Sequence, residues 1–298
     1  MEKMLVSVIA TMDYRYPIVY CGAWSFKYIS PEEKDNGGLD ADWQAIEENA
    51  QTYLGIHINF QKLSNPHEAY KQIISQIKQH KATVFTLKEN ACYWHSKLGL
   101  SSTNEHTLIV CGCTDEGILC TDCQPPTEKI FFSKEDFLQS YNGLLVSFQQ
   151  ESPLCPPELS VKNAFKRISS KSKQLFPEME TFAHYISHAN LSLECAGNSE
   201  ADIWNSSLLF NIKNLSLGRI HFSSYLKFIV NLNQNDSLVN CAKLLEKSGQ
   251  QWATVRSLLM KALLTGNPES LQNRAEKLIL DCKSLEEQAL RETILSFH

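Results

Sequence analysis

The rhythm of hydrophobic and polar positions changes once along this chain. Up to residue 150, alternating runs are interspersed with runs of helical spacing, whereas from residue 159 onward apolar residues recur at helical spacing alone. In the first half, LDADWQAIEENAQTYLG has helical spacing with Gly55 just past its end, and IHINF then alternates as a strand. NPHEAYKQIISQIKQH predicts a helix capped by Asn65, with Pro66 at its first position and Glu68 placed to reach back as in a capping box. The runs ATVFTL, HTLIVCGC, GILCTD and KIFF predict an antiparallel meander, with Asp115-Glu116-Gly117 turning between the second and third. Ser133 and Asp136 predict a capped short helix, and LLVSFQ a last strand.

The segment ESPLCPPELS separates the halves. Its three prolines forbid a continuous helix or a central strand, so residues 151–158 read as a linker between a domain at 1–150 and one at 159–298. The second half carries helical patterns around 160–175, 178–195, 202–213, 219–232, 236–248, 250–265 and 268–296, which predicts an all-helical domain. The expected fold class is α+β followed by helices.

Composition narrows the classes. With 298 residues, 43% hydrophobic and 20% charged, the chain is an ordinary folded protein large enough for two cores. A net charge of -5 argues against nucleic-acid binding. No apolar run approaches the roughly 20 residues of a spanning helix. The opening MEKMLVSVIATMDYR holds a charge and a strand-like run in place of a secretion signal, so a cytoplasmic location without membrane attachment is expected. Ten cysteines scatter through apolar runs such as LIVCGC and VNCAKLL, as reduced, buried small hydrophobes do.

Three residues suggest chemistry. A thiol attacks as a thiolate, which a helix N-terminus and a neighbouring imidazolium both stabilise. Pro17-Ile18-Val19-Tyr20 reads as an extended approach and Cys21-Gly22-Ala23-Trp24-Ser25-Phe26 as the start of a helix, with a small residue directly after the thiol. The plain alternative is one more buried cysteine. His106 opens the strand HTLIVCG after the polar SSTNE, so its ring can emerge at a sheet rim or be a solvent-exposed bystander. Asp122 ends the next strand, where an acid can hold the Nδ1 proton of that histidine or can cap a turn before Pro125-Pro126. Cysteine, histidine and acid together have the logic of an activated nucleophile.

These features, with Cys21-Gly22, KATVFTL, Tyr93, Trp94, HTLIVCG and Asp122 in the first half and GRIHFSSYLKFI and LVNCAKLLEKSGQQWATVRSLL in the second, resemble the butirosin-biosynthesis protein H family over most of the chain. The resemblance implies a papain-like cysteine-protease fold, in which a helix bearing the nucleophile packs on an antiparallel sheet, followed by a helical domain. It also implies amide-forming acyl transfer, as in antibiotic and polythioamide assembly. An acyl group would pass from the phosphopantetheine arm of an acyl or peptidyl carrier protein, through an acyl-Cys21 intermediate, to an amine acceptor. No other cofactor and no metal are implied. Cys21, His106 and Asp122 would be the triad, and Tyr20, Trp24, Tyr93 and Trp94 would wall the acyl cleft. Papain-like enzymes usually carry a glutamine before the nucleophile to bind the oxyanion. Here the stretch reads Tyr14-Arg15-Tyr16-Pro17-Ile18-Val19-Tyr20, so Tyr14, Arg15 or Tyr20 would replace it beside the Cys21 N–H. A peptidase or thioester hydrolase on the same scaffold, and a non-catalytic binding module, are the rival readings.

Two other features carry alternatives. Cys111, Cys113, Cys120 and Cys123 form C-x-C and C-x-x-C pairs, but Cys111 and Cys113 alternate along an apolar strand, which argues against zinc. Lys162, Lys166, Arg167, Lys171 and Lys173 punctuate one helix with no acid between them, either as a solvated face or as a docking strip for an acidic carrier.

Overall fold

In the computed structural model, residues 2–30, 38–41, 45–88, 91–92, 106–123, 126–191, 206–233, 238–265 and 268–296 are described. They form two compact units, one of Met1–Tyr16 with Ala50–Cys155 and the other of Pro17–Asn49 with Pro156–His298. The second boundary falls in the proline-rich stretch. The first half, by contrast, is divided: residues 17–49 group with the C-terminal helices and not with the sheet.

The first unit opens with helix α1 (Glu2–Met12), where the sequence reading had a strand-like run. Met4, Leu5, Val8 and Ile9 are buried, and their spacing of one and four is that of a helix stripe, which outweighs the β-preference of Val and Ile. After β1 (Lys27–Ile29), β2 (Gly38–Asp40) and α2 (Ile46–Asn49) of the other unit come a π-helical turn at Ala50–Leu54 and β3 (Ile56–Lys62). Next are α3 (Pro66–Lys78) and β4 (Thr83–Leu87). They are followed by β5 (His106–Cys113), β6 (Gly117–Cys123) and β7 (Pro126–Ser133), then α4 (Lys134–Ser140) and β8 (Tyr141–Gln150). One antiparallel sheet results, in the order β3-β8-β4-β5-β6-β7.

The meander β4 to β7 is as the pattern predicts, but β8 is inserted between β3 and β4. That placement buries both of its edges. The caps are as read, with Asn65 Oδ1 accepting from the N–H of His67 and of Glu68 and Ser133 Oγ from the N–H of Asp136, but among the described residues Glu68 does not reach back to the Asn65 N–H. Gly55 takes φ +68, and a side chain there would strike the Glu151 carbonyl. The core joins Phe85, Leu108, Val110, Ile118, Cys120, Ile130 and Phe132 from the sheet to Ile73 of α3 and Phe137 of α4.

The second unit contains α5 (Leu159–His188), α6 (Ser207–Asn233), α7 (Val239–Thr265) and α8 (Pro268–Ser296). Four long helices among the described residues replace seven shorter predicted ones. The gaps between predicted helices at 176–177, 214–218 and 249, which hold Pro177, Gly218 and Gly249, lie inside helices. Packing explains the glycines. A Cβ on Gly218 would lie 2.5 Å from the Ala23 carbonyl oxygen, and one on Gly249 would lie 2.9 Å from the Ser216 carbonyl oxygen and 2.8 Å from Ile220 Cγ1.

Residues 17–49 are pinned to these helices by polar bonds. Glu178 of α5 accepts from the Tyr28 N–H at 2.9 Å, Asn211 of α6 donates to the Leu39 carbonyl at 2.7 Å, and Arg219 of α6 donates to the Ser25 carbonyl. At the centre, the fully buried Glu286 carboxylate accepts two bonds from Arg219 at 2.9 Å each, one from Trp24 Nε1 at 2.7 Å and one from Ser248 at 2.7 Å. Phe26 meets both Phe182 and Trp252. Each such buried aromatic contributes about 1.5–3 kcal/mol by leaving water, so the strand pair β1–β2 belongs to the helical core.

Candidate functional site

In the first unit, His106 and Asp122 come together. Ile118, Cys120 and Asp122 occupy alternate positions of β6 and are buried, as are Leu108 and Val110 on β5. The side-chain alternation therefore puts the first residue of β5 and the sixth of β6 on the same core face. His106 Nε2 lies 2.7 Å from Asp122 Oδ2, with the imidazole 15% and the carboxylate 0% exposed. The acid thus meets Nε2, where Nδ1 had been expected, and orients the ring so that Nδ1 is the nitrogen directed elsewhere. Cys92, which the sequence reading passed over, lies near this pair. Its thiol is pushed up to about 12, first by burial and then by the Asp122 charge.

Cys21 belongs to the second unit. It does not begin a helix. It is the sixth of seven residues in the 3₁₀ segment Tyr16–Gly22, and residues 23–26 after it lie in no helix or strand before β1. Isoleucine and valine before the cysteine bury Ile18 and Val19 and draw the thiol in with them, to 2% exposure. Asn49 Nδ2 donates to the Val19 carbonyl at 2.9 Å, and Arg167 donates to the Cys21 carbonyl at 2.7 Å. Burial pushes the thiol up to about 12 against the favourable Arg167 charge. No helix N-terminus offsets that cost, so the resting group is a neutral thiol.

The expected cleft walls fare differently. Trp24 is 3% exposed, packs against Phe165 and Phe222, and gives its N–H to Glu286, so it is first a core residue. Tyr20 stacks flat on His221, with centroids 4.2 Å apart. Tyr93 and Trp94 lie outside the described residues. Of the proposed oxyanion donors besides Tyr20, Arg15 closes on Asp13 at 2.6 Å and Tyr14 is 73% exposed.

Beside Cys21, a cavity of about 350 Å³ is lined by Gly22, Trp24, Phe26, Lys27, Asp40, Arg167, Lys171 and Leu175, among others. The basic helix therefore divides. Arg167 and Lys171, one turn apart, border this cavity, while Lys162, Lys166 and Lys173 are exposed. Spacing alone could have shown the division, because 167 and 171 share a helix face with the buried Ala164, Ile168 and Leu175.

Among the described residues, no three or more His, Cys, Asp or Glu side chains gather as a metal site would require. The described cysteines are all free, and no described helix is long and apolar enough to cross a membrane. No protein-family model matches the sequence, and no curated protein matches it.

Proposed function

We propose that the protein is an amide-forming acyltransferase of papain-like type, acting in antibiotic-like secondary metabolism in the cytoplasm, with Cys21 as nucleophile and the His106–Asp122 pair as its base. The observation that carries this reading is the 2.7 Å contact between His106 Nε2 and the buried Asp122 carboxylate at the end of a strand. A fully buried acid that fixes one ring nitrogen prepares the other for proton transfer.

Because Cys21 rests as a neutral thiol, His106 would act as a general base during attack and not as the partner of a preformed ion pair. The thiol proton passes to the ring as the new S–C bond forms and the carrier's C–S bond breaks, and the carrier sulfur takes that proton on leaving. An amine then attacks the acyl-cysteine, the amide forms, and the thiol is restored. One thioester replaces another, so loading needs no ATP. The exposed Lys162, Lys166 and Lys173 suit an acidic carrier by steering its approach.

Intact-mass analysis after mixing with an acylated carrier tests this. The expected outcome is an acyl adduct on the wild type that is absent from Cys21→Ala and His106→Ala. A further addition of amine then gives amide; release of free acid alone would make the enzyme a thioester hydrolase. A second reading exchanges the nucleophile for Cys92, which belongs to the same unit as His106 and Asp122. An adduct that survives Cys21→Ala and is lost in Cys92→Ala would select it.

A further inference from the structure

The cavity beside Gly22 has an uneven charge pattern. Lys27 and Asp40 are directly opposite on the β1–β2 ladder, so their charges offset each other across adjacent strands. Arg167 and Lys171 have no such compensation: among the described residues, neither has a carboxylate within ion-pair distance. Like charges one helical turn apart repel, and this chain nonetheless carries them on a cavity wall, although it is acidic overall. Arg167 donates to the Cys21 carbonyl and also engages the Cys21 thiol, which fixes the guanidinium, and among the described residues nothing else takes its remaining donors. Of the remaining lining, Trp24, Phe26, Ile168 and Leu175 are apolar and buried, with Gly22, Ala45 and the half-buried Ser25 beside them. A held guanidinium, a second cation one turn on and an apolar floor are the parts of a carboxylate or phosphate pocket.

We infer that this cavity binds the oxyanion of a small acceptor amine, an amino acid or an aminoalkyl phosphate, with Arg167 and Lys171 holding its anionic end. The inference rests on the acyltransfer reading for the word acceptor, and it names the class of amine. At about 350 Å³ the cavity is of the size that takes a small molecule. Because the pocket adjoins Gly22, an acceptor held there lies next to the residue that follows the nucleophile. Two oxyanion sources share this chemistry, a carboxylate and a phosphate.

The test is equilibrium binding by calorimetry on the full chain. The probes are each of the twenty amino acids against its C-terminal amide, and phosphoethanolamine against ethanolamine. The expected result is that at least one oxyanion-bearing amine binds while its uncharged-end counterpart binds at least about tenfold more weakly. The successful pair says whether carboxylate or phosphate is the native end. Lys171→Met, at an exposed position, should weaken that binding at least about tenfold with an unchanged circular-dichroism spectrum. Lys261→Met removes the same charge from an exposed position of α7 and should leave binding unchanged. The inference is overturned if no probe binds, if the oxyanion-free counterpart binds as tightly, or if Lys171→Met has no effect. Failure of the acyltransfer reading is read separately, as the absence of a Cys21 adduct, because this binding is measured without turnover.

Discussion

Replacing Glu286 with alanine removes a carboxylate that is wholly buried and accepts from Arg219, Trp24, Ser248 and Trp252. The Arg219 side chain is 1% exposed, so the variant leaves a guanidinium in the core without its counter-charge. Breaking a buried pair in this way costs about 3–5 kcal/mol. The Trp24 and Ser248 donors lose their acceptor as well, at about 1–3 kcal/mol for each group left unsatisfied, and relaxation makes these terms overlap. The expected loss is therefore about 4 kcal/mol, a large share of a typical domain's stability. Urea unfolding followed by tryptophan fluorescence suits the question, since Trp24 and Trp252 both contact the carboxylate. Arg219→Met with Glu286→Met should recover most of the loss, because two apolar side chains replace the pair at once.

The same group sets a pH dependence. Burial disfavours the Glu286 anion, but the Arg219 charge and the bonds from Arg219, Ser248 and Trp24 outweigh it and hold the carboxyl below its usual 4.5. A depressed carboxyl binds its proton less readily folded than unfolded. Its contribution is thus complete above the unfolded value and is lost as pH falls below 4.5 through the folded one. A Glu286→Ala loss under about 1 kcal/mol at pH 7 would refute this account of the core.

With a thiol near 12, iodoacetamide labelling of Cys21 in the resting protein should rise about tenfold per pH unit from 7 to 10; a plateau would mean an ionised thiol and reverse the conclusion drawn from its burial. Asp122→Asn should lower carrier-dependent turnover by roughly 10- to 10⁴-fold while the acyl-accepting thiol remains, because the imidazole keeps its place and loses its counter-charge; wild-type turnover would remove Asp122 from the mechanism. Gly218→Ala should lower the melting temperature of the second unit, since the added methyl would lie 2.5 Å from the Ala23 carbonyl oxygen, and an unchanged melt would show that α6 and residues 17–49 separate readily.

Short-range chemistry was legible in the sequence. The caps at Asn65 and Ser133, the turn at Asp115-Glu116-Gly117 and the meander depend on groups a few residues apart, and these are where the pattern predicted them. The His106–Asp122 pair was legible for the same reason, because adjacent strands of one hairpin fix which residues are neighbours. Which nitrogen of the ring met the acid was not, since that depends on how the imidazole packs.

Tertiary structure decided the rest. Pro177, Gly218 and Gly249 are locally helix breakers, yet close packing on Ala23, Ser216 and Ile220 gains from the missing side chains of the two glycines, and long helices run through them. Residues 17–49 lie far in sequence from α5, α6 and α8, so no local pattern could assign them there; the buried Glu286 carboxylate and the Tyr28, Leu39 and Ser25 backbone bonds do so. The state of Cys21 follows from that assignment. Its sequence neighbours supply a small residue and an apolar approach, but burial and the Arg167 side chain, 146 residues away in sequence, determine whether the sulfur carries a charge. Local sequence thus determined elements, caps and one hydrogen-bonded pair, whereas desolvation and long-range packing, which depend on everything surrounding a group, decided its ionisation and its partners.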